Sequence, residues 1–299
     1  MSFLNRALIA FPDIDPALIR FELFGREIAI FWYAIAYIAG FILCLIWARF
    51  LIRKPALFPN NTAPISKEQF DDLLTWGIVG VILGGRLGYV LFYQPGVYAD
   101  DPWAILRLWE GGMAFHGGFV GAIIAGLIFS LRKGLNPWSI GDLVASGTFF
   151  GLFFGRIANF INAELWGRPT DVPWAVAFPG QAAQECGQAF GELCGRHPSQ
   201  LYEAGLEGLL MFVITVILIF KFKVFKKRGV MFGVFFLGYG LARVFVEGFR
   251  QADAQFITAD NPLGHIIRLG EAGLTMGQLL SLPMVLLGLV LVLWRWRAA

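Results

Sequence analysis

The chain has 299 residues, of which 57% are hydrophobic and 15% charged, with a formal net charge of +3. A soluble domain carries about 25% charged and about 45–50% apolar residues, so the composition argues against a soluble enzyme or a disordered chain, and so small a positive excess points to no nucleic-acid partner. With 36 Gly, 10 Trp and 30 Phe, it matches a bundle of membrane helices, in which glycine lets backbones approach and aromatics mark the interfaces.

The start, Met1 to Glu27, places Arg6, Asp13, Asp15, Arg20, Glu22, Arg26 and Glu27 among apolar residues. It lacks the basic, apolar, small-residue order of a cleaved secretory signal and reads as a retained amphipathic arm lying on the membrane, residues 1–27. A membrane span takes about 20 mostly apolar residues. Such windows fall at 28–49, 73–93, 113–131, 141–163, 204–220, 229–249 and 276–294. Pro and Gly clusters at Lys54 to Pro64, Gln94 to Pro102 and Pro169 to Pro198 mark loops between them.

Lys and Arg in short loops stay on the cytoplasmic side. Thirteen of them follow the odd-numbered windows, including all the lysines, against eight arginines and no lysine on the other side. The expectation is an all-α integral membrane protein of about seven transmembrane helices, a single polytopic domain over 1–299. Its N-terminus faces out and its C-terminus lies in the cytoplasm, with an outer loop or head at 164–203 between spans four and five. Seven spans can enclose a cavity without a partner, which suits a monomer. In the outer loop Cys186 and Cys194 could form a disulfide on an oxidising face, with two free thiols as the alternative. No cysteine–histidine cluster has zinc spacing, so no metal site is expected. Small residues four apart at Gly80/Gly84/Gly88, Gly117/Gly121, Gly151/Gly155 and Gly229/Gly233 read as close helix packing. Gly117 and Gly118, beside a histidine, are the exception that could supply local flexibility.

Charged and polar residues inside these windows are the informative exceptions, because an ionisable side chain within the bilayer is expensive. Tyr33, near the outer end of the first window, suits an aromatic belt as well as a site. Arg86 is mid-span in the second, where a buried network and ligand contact are equally open. His116 begins the third from outside and could be a general base, a phosphate donor or an interfacial polar tip. In GRIANFINAELWGR, Arg156 and Asn159 are three apart and share a helix face, with Asn162 and Glu164 following. This places a cation and two amides toward one outward-opening cavity. In RHPSQLYEAG, Ser199 can cap a helix whose first turn holds Tyr202 and Glu203, a structural reading ranked above a ligand-shaping one. In the sixth window Tyr239, Arg243, Glu247 and Arg250 lie on one stripe. Glu247 can pair with either arginine as a structural lock, but two arginines against one carboxylate leave surplus positive charge suited to a phosphate. These residues point to a membrane protein handling a phosphate-bearing amphiphile.

At GGRLGYVLFY (84–93), GGMAFHGGFVG (111–121), GRIANFINAELWGR (155–168), RHPSQLYE (196–203), LARVFVEGFRQADAQ (241–255) and LTMGQLLSLPM (274–284) the sequence resembles the prolipoprotein diacylglyceryl transferase family of bacterial inner membranes. The resemblance implies transfer of the diacylglyceryl group of phosphatidylglycerol to the lipobox cysteine of a preprolipoprotein signal peptide. A thioether forms and glycerol 1-phosphate leaves, without a cofactor, at a site facing the periplasm. It further implies that Arg156 and Arg243 hold the lipid phosphate, Asn159 bonds the headgroup, Gly167 forms a turn, His116 takes the thiol proton and Tyr33 is functional. Glu164, Glu247 and Arg250 fall in a supporting polar network, with Arg86 and Tyr239 among the substrate-facing residues. Another phospholipid-handling enzyme, an acyltransferase or phosphatase, is the nearest alternative. A lipid transporter would tend to show inverted repeats, and none is visible.

Overall fold

The computed structural model describes residues 8–186, 192–269 and 272–297; Arg6 of the expected arm lies outside them. Among the described residues, seven long helices follow the apolar windows: α1 Trp32–Ile52, α2 Lys67–Phe92, α3 Phe115–Arg132, α4 Pro137–Ile161, α5 Ser199–Phe220, α6 Val230–Val246 and α7 Met276–Arg297. Five of them, α1, α2, α4, α5 and α7, are long and apolar enough to cross a membrane, while α3 and α6 are shorter apolar helices. The chain is a mostly helical, multi-pass membrane protein.

Local chemistry sets the boundaries. Helix α2 starts on a capping box, with the Ser66 hydroxyl accepting from the Gln69 N–H while the Gln69 side chain accepts from the Ser66 N–H. Helix α4 starts where Asn136 accepts from the N–H groups of Trp138 and Ser139 and Pro137 occupies the first helical position. Helix α1 starts at Trp32, not 28, because 26–31 is already paired in a hairpin.

That hairpin is one of three short strand pairs among the described residues, all absent from the all-α expectation. Strands β2 (Ala17–Leu23) and β3 (Arg26–Phe31) run antiparallel; β1 (Ile9–Ala10) pairs with β4 (Val176–Ala177), and β5 (Ile267–Leu269) with β6 (Ala272–Leu274). In the hairpin, Ile19 lies opposite Ile30 and Phe21 opposite Ile28, whereas Arg20 faces Ala29 and Glu22 faces Glu27. Successive side chains of a strand point to opposite faces. The amphipathic arm is therefore a two-residue alternation, which a search for long apolar windows passes over.

The helices alternate between two ends. At one, Phe58 stacks on Phe225, Arg49 pairs with Asp71, and the Arg295 Nε donates to the Arg228 carbonyl. This end carries all the lysines. At the other lie the strand pairs and the 162–198 segment, whose Cys186–Cys194 disulfide is formed. There Val176, Phe178 and Ala183 make a small core with Phe11 and Phe160.

Glycine contacts pack the helices in pairs. A Cβ on Gly80 would stand 2.6 Å from the Gly121 oxygen, and one on Gly88 would stand 2.9 Å from the Gly117 Cα. This joins α2 to α3 and makes Gly117 a packing residue, not a flexible one. Gly40 meets Gly151 between α1 and α4, and Gly208 meets Phe153 between α5 and α4. Gly84 faces the Gly117 carbonyl while Gly77 has nothing within 4 Å of the corresponding position. Gly84→Ala should therefore lose about 1–3 kcal/mol in thermal melts of the purified protein, with Gly77→Ala near neutral.

Candidate functional site

Three helices, α4, α5 and α6, bring ionisable residues together near the lysine-free end. Arg156, on α4, places Nε 3.2 Å from the Glu203 carboxylate and Nη2 3.5 Å from that of Glu207, both on α5. Arg243, on α6, pairs through Nη1 with the other oxygen of Glu203, and through Nη2 with Glu247 at 2.9 Å. The Thr275 hydroxyl, just before α7, donates to Glu247 at 3.1 Å. Glu203 thus bridges two guanidinium groups, and it is fully buried.

The surplus expected of Arg243 and Arg250 over Glu247 is offset, because Arg243 also meets Glu203 from α5. Arg156 and Arg243 meet three carboxylates, Glu203, Glu207 and Glu247, because α5 contributes two that the stripe on α6 does not contain. The accessible face is nonetheless cationic. The side chains of Arg156 and Arg243 keep 18% and 10% exposure, against 0% for Glu203 and Glu207. Ser199 does not cap α5; its hydroxyl donates to the Leu165 carbonyl at 3.0 Å.

The other sequence-flagged residues fall into separate groups. Asn159 is buried and donates to the Glu164 carboxylate at 2.8 Å, with Asn162 on the same oxygen at 3.5 Å. The two amides meet on one carboxylate oxygen of Glu164. Arg250 leaves the helical stripe because α6 ends at Val246. It bridges Gly167 backbone to backbone, and its guanidinium lies 3.9 Å from Asp253. Gly167 is no positive-φ turn; a Cβ there would stand 2.6 Å from both the His197 and Phe249 carbonyls. Tyr33 pairs its hydroxyl with that of Tyr37, 3.3 Å away on α1.

Arg86 is buried and commits all five donors to backbone carbonyls. Nε reaches Ile105, Nη1 reaches Gly111 and Gly112, and Nη2 reaches Ala104 and Arg107. It fixes the loop that leads into α3, where His116 occupies the first turn. Phe119, three residues on, meets Phe236 of α6 at 6.2 Å between ring centroids. Because α3 and α6 run in opposite directions, His116 lies one turn from that contact toward the end that carries Tyr239 and Arg243.

Beside the network, the Trp174 indole N–H donates to the Tyr202 hydroxyl at 2.6 Å, and that hydroxyl is hydrogen-bonded to Nδ1 of His197 at 3.1 Å. Burial holds the His197 imidazole below its ordinary range.

The sequence reading missed Glu207 and Thr275 and ranked Glu203 as a cap. The available signal was two acids four apart at the head of an apolar run, which share a helix face.

The family described as prolipoprotein diacylglyceryl transferase matches residues 19–294. The phosphatidylglycerol–prolipoprotein diacylglyceryl transferase of Ruegeria pomeroyi is 55% identical over 96% of this chain and 97% of its own. That of Roseobacter denitrificans is 54% identical over 96% and 97%. The Agrobacterium fabrum protein of the same name is 48% identical over 98% and 96%.

Two outcomes follow from the geometry. Glu203→Ala removes the carboxylate that Arg156 and Arg243 share, leaving them Glu207 and Glu247, and should lower stability by about 1.5–3 kcal/mol in a denaturation assay. For His197 the folded-state pKa is depressed, so its neutral form is favoured and stability should fall as pH drops below about 6.5, its ordinary value. His197→Gln should flatten that part of a melting-temperature profile taken between pH 7.5 and 5.5.

Proposed function

The chain belongs to the prolipoprotein diacylglyceryl transferase family, and we propose on that footing that it transfers the diacylglyceryl group of phosphatidylglycerol to the lipobox cysteine of preprolipoproteins. The cysteine sulfur attacks the glycerol carbon that bears the phosphate ester. A carbon–sulfur bond forms, the carbon–oxygen bond breaks with its electron pair going to oxygen, and glycerol 1-phosphate leaves. The reaction is the first step of bacterial lipoprotein maturation and needs no cofactor.

The observation that supports the residue assignment is the exposure order within the ion network, in which the arginines are the more exposed members, with Glu203 and Glu207 fully buried and Glu247 at 6%. A phosphate entering there meets guanidinium edges whose directions are already fixed. Fixed donors stabilise charge that develops on a leaving group without reorganising at the moment of reaction. Arg156 and Arg243 are the phosphate ligands in this reading. Glu203, Glu207, Glu247 and Thr275 orient them. Asn159 and Glu164 form the adjoining headgroup contact, and Tyr239, on α6 between Phe236 and Arg243, borders the same face. Gly167 and Arg250 join the outer segment to the end of α6, and Arg86 supports the loop ahead of His116. His116 takes the thiol proton, because the thiolate is the nucleophilic form; Tyr33 lines the approach from α1.

All seven helices cross the membrane in this reading. α3 and α6, of 18 and 17 residues, extend about 26–27 Å at 1.5 Å per residue, close to the hydrocarbon thickness of about 30 Å. The lysine end faces the cytoplasm and the network the periplasm, across a bacterial inner membrane. The 164–203 segment forms a periplasmic head. The β2–β3 hairpin lies along the outer interface with Ile19, Phe21, Ile28 and Ile30 toward lipid, since those residues are 37–52% exposed on one face. A single chain suffices for the site.

Incubating the purified protein with phosphatidylglycerol and a lipobox peptide, then weighing the peptide, tests the reaction. A gain of one diacylglyceryl group on cysteine is expected; acyl transfer alone, or phosphate release without a peptide adduct, would point to a different phospholipid enzyme. Diacylglycerol, which lacks the phosphate, should fail as donor. Arg243→Ala should lose at least about 100-fold in rate, in the range for removing one transition-state donor. His116→Ala should lose about 10²–10⁴-fold if it is the base, and near-normal turnover would remove it from that role.

A further inference from the structure

One buried carboxylate takes no part in the network. Asp142 lies in the first turns of α4, is 2% exposed, and accepts the Gly229 N–H at 2.6 Å and the Phe232 N–H at 2.8 Å. Those two N–H groups belong to the start of α6, where four backbone donors lack intrahelical partners. The residue at the N-cap of α6 is Gly229, which has no side chain to offer and sits at φ 89°. Helix α6 therefore borrows its cap from α4.

The spacing beyond that contact is equal on both helices. Arg156 stands fourteen residues after Asp142 on α4, and Arg243 fourteen residues after Gly229 on α6. Both helices run from the lysine end toward the strand pairs, so both arginines stand about 21 Å along parallel axes from the shared origin, at 1.5 Å per residue. Fourteen residues make nearly four full turns, which returns the side chain to almost the same face. Halfway along, Phe149 on α4 meets Phe235 on α6 at 5.7 Å between centroids. At the far end both guanidinium groups close on the single carboxylate of Glu203.

We propose that Asp142 is a positioning residue for the transfer reaction: by capping α6 from α4 it sets the axial register of the two helices, so that Arg156 and Arg243 arrive level with one another on Glu203. The proposal rests on the assignment of the arginines to the lipid phosphate. A neutral, purely packing side chain at 142 would leave α6 free to shift by part of a turn relative to α4. One guanidinium would then rise above or fall below Glu203.

The test is a double-mutant cycle on transfer of the diacylglyceryl group from phosphatidylglycerol vesicles to a lipobox peptide, using Asp142→Asn and Thr275→Val in the full-length protein. Thr275 steadies Arg243 from the other side through Glu247 and lies just before α7, away from Asp142 on α4. Sites this far apart with no shared partner ordinarily combine independently. Asp142→Asn keeps the side-chain shape and one acceptor and is the primary variant; Asp142→Ala, which removes both, is measured alongside. Asp142→Asn should be monodisperse and lose at least 10-fold in kcat. The double variant should lose at least 5-fold more than the product of the two single losses, because each removes one of two anchors on the same guanidinium, and Thr275→Ser should restore the single-variant value. A strictly multiplicative double variant, or wild-type kcat in Asp142→Asn, would overturn the register role. Arg243→Ala is measured alongside: full activity there would remove the arginine assignment itself, whereas its loss with full activity in Asp142→Asn overturns the role of Asp142 alone.

Discussion

Glu203 is the point on which the rest of the architecture converges. A carboxylate removed from water is tolerated only when its charge is matched, and Glu203 meets that condition with two arginines from two other helices. Helices α4, α5 and α6 must therefore approach closely at one depth. Gly208 of α5 supplies the approach, since any side chain there would run into Phe153, three residues before Arg156. The backbone of α5 across 204–210 is wound as a π-helix, a departure that recurs at functional sites. It carries Glu207, the second partner of Arg156, in its middle.

The cationic half of this arrangement was legible in the sequence and the anionic half was not. Arginines in apolar windows stand out because each is an exception to its surroundings; Arg156 and Arg243 were found in this way and do meet. Glu203 sat at the edge of a window, beside a proline and a serine, where a helix-capping explanation sufficed. Glu207 sat inside an apolar run without a basic neighbour on its own helix. Its partner lies 51 residues away in sequence, and pairing between helices has no local pattern to read. Arg86 shows the converse. It was as conspicuous as the other two, yet the carbonyls of 104–112 use all of its donors, because a loop returning into the bundle must satisfy its backbone groups somewhere. The helical windows came through nearly intact, while the β2–β3 hairpin was hidden by its shorter period.

The outer segments are joined to the network by backbone more than by side chains. Gly167 pairs with Arg250, and its N–H donates to the His197 carbonyl at 2.8 Å. The Arg168 Nε donates to the Arg250 carbonyl at 2.9 Å. Arg196 sits 4.0 Å over the Trp166 ring and donates to the carbonyls of Ala183 and Gly167. The end of α4, the start of α5 and the end of α6 are thus laced together immediately beyond the ion network. A Cβ at Gly167 would separate them, which explains a glycine at a position whose φ any residue could adopt.

For the phosphate role proposed for Arg156 and Arg243, a site built of arginines alone would be simpler, and the carboxylates have a physical reason. Two uncompensated guanidinium groups at the same depth in a membrane protein would repel each other, lose their hydration and turn toward the interface. Three carboxylates hold them in place before any lipid arrives. Because the carboxylates are the more deeply buried members, they also leave the arginine edges as the surface a ligand meets. Such a site binds an incoming anion less tightly than bare arginines would, since part of each cation's field is already neutralised. That weakening is felt at every stage, but N–H groups already fixed in direction need no reorganisation as charge develops on the leaving phosphate. Interactions stronger in the transition state than in the ground state are those that accelerate a reaction. On this argument the glutamates contribute to rate by holding geometry, at the expense of affinity.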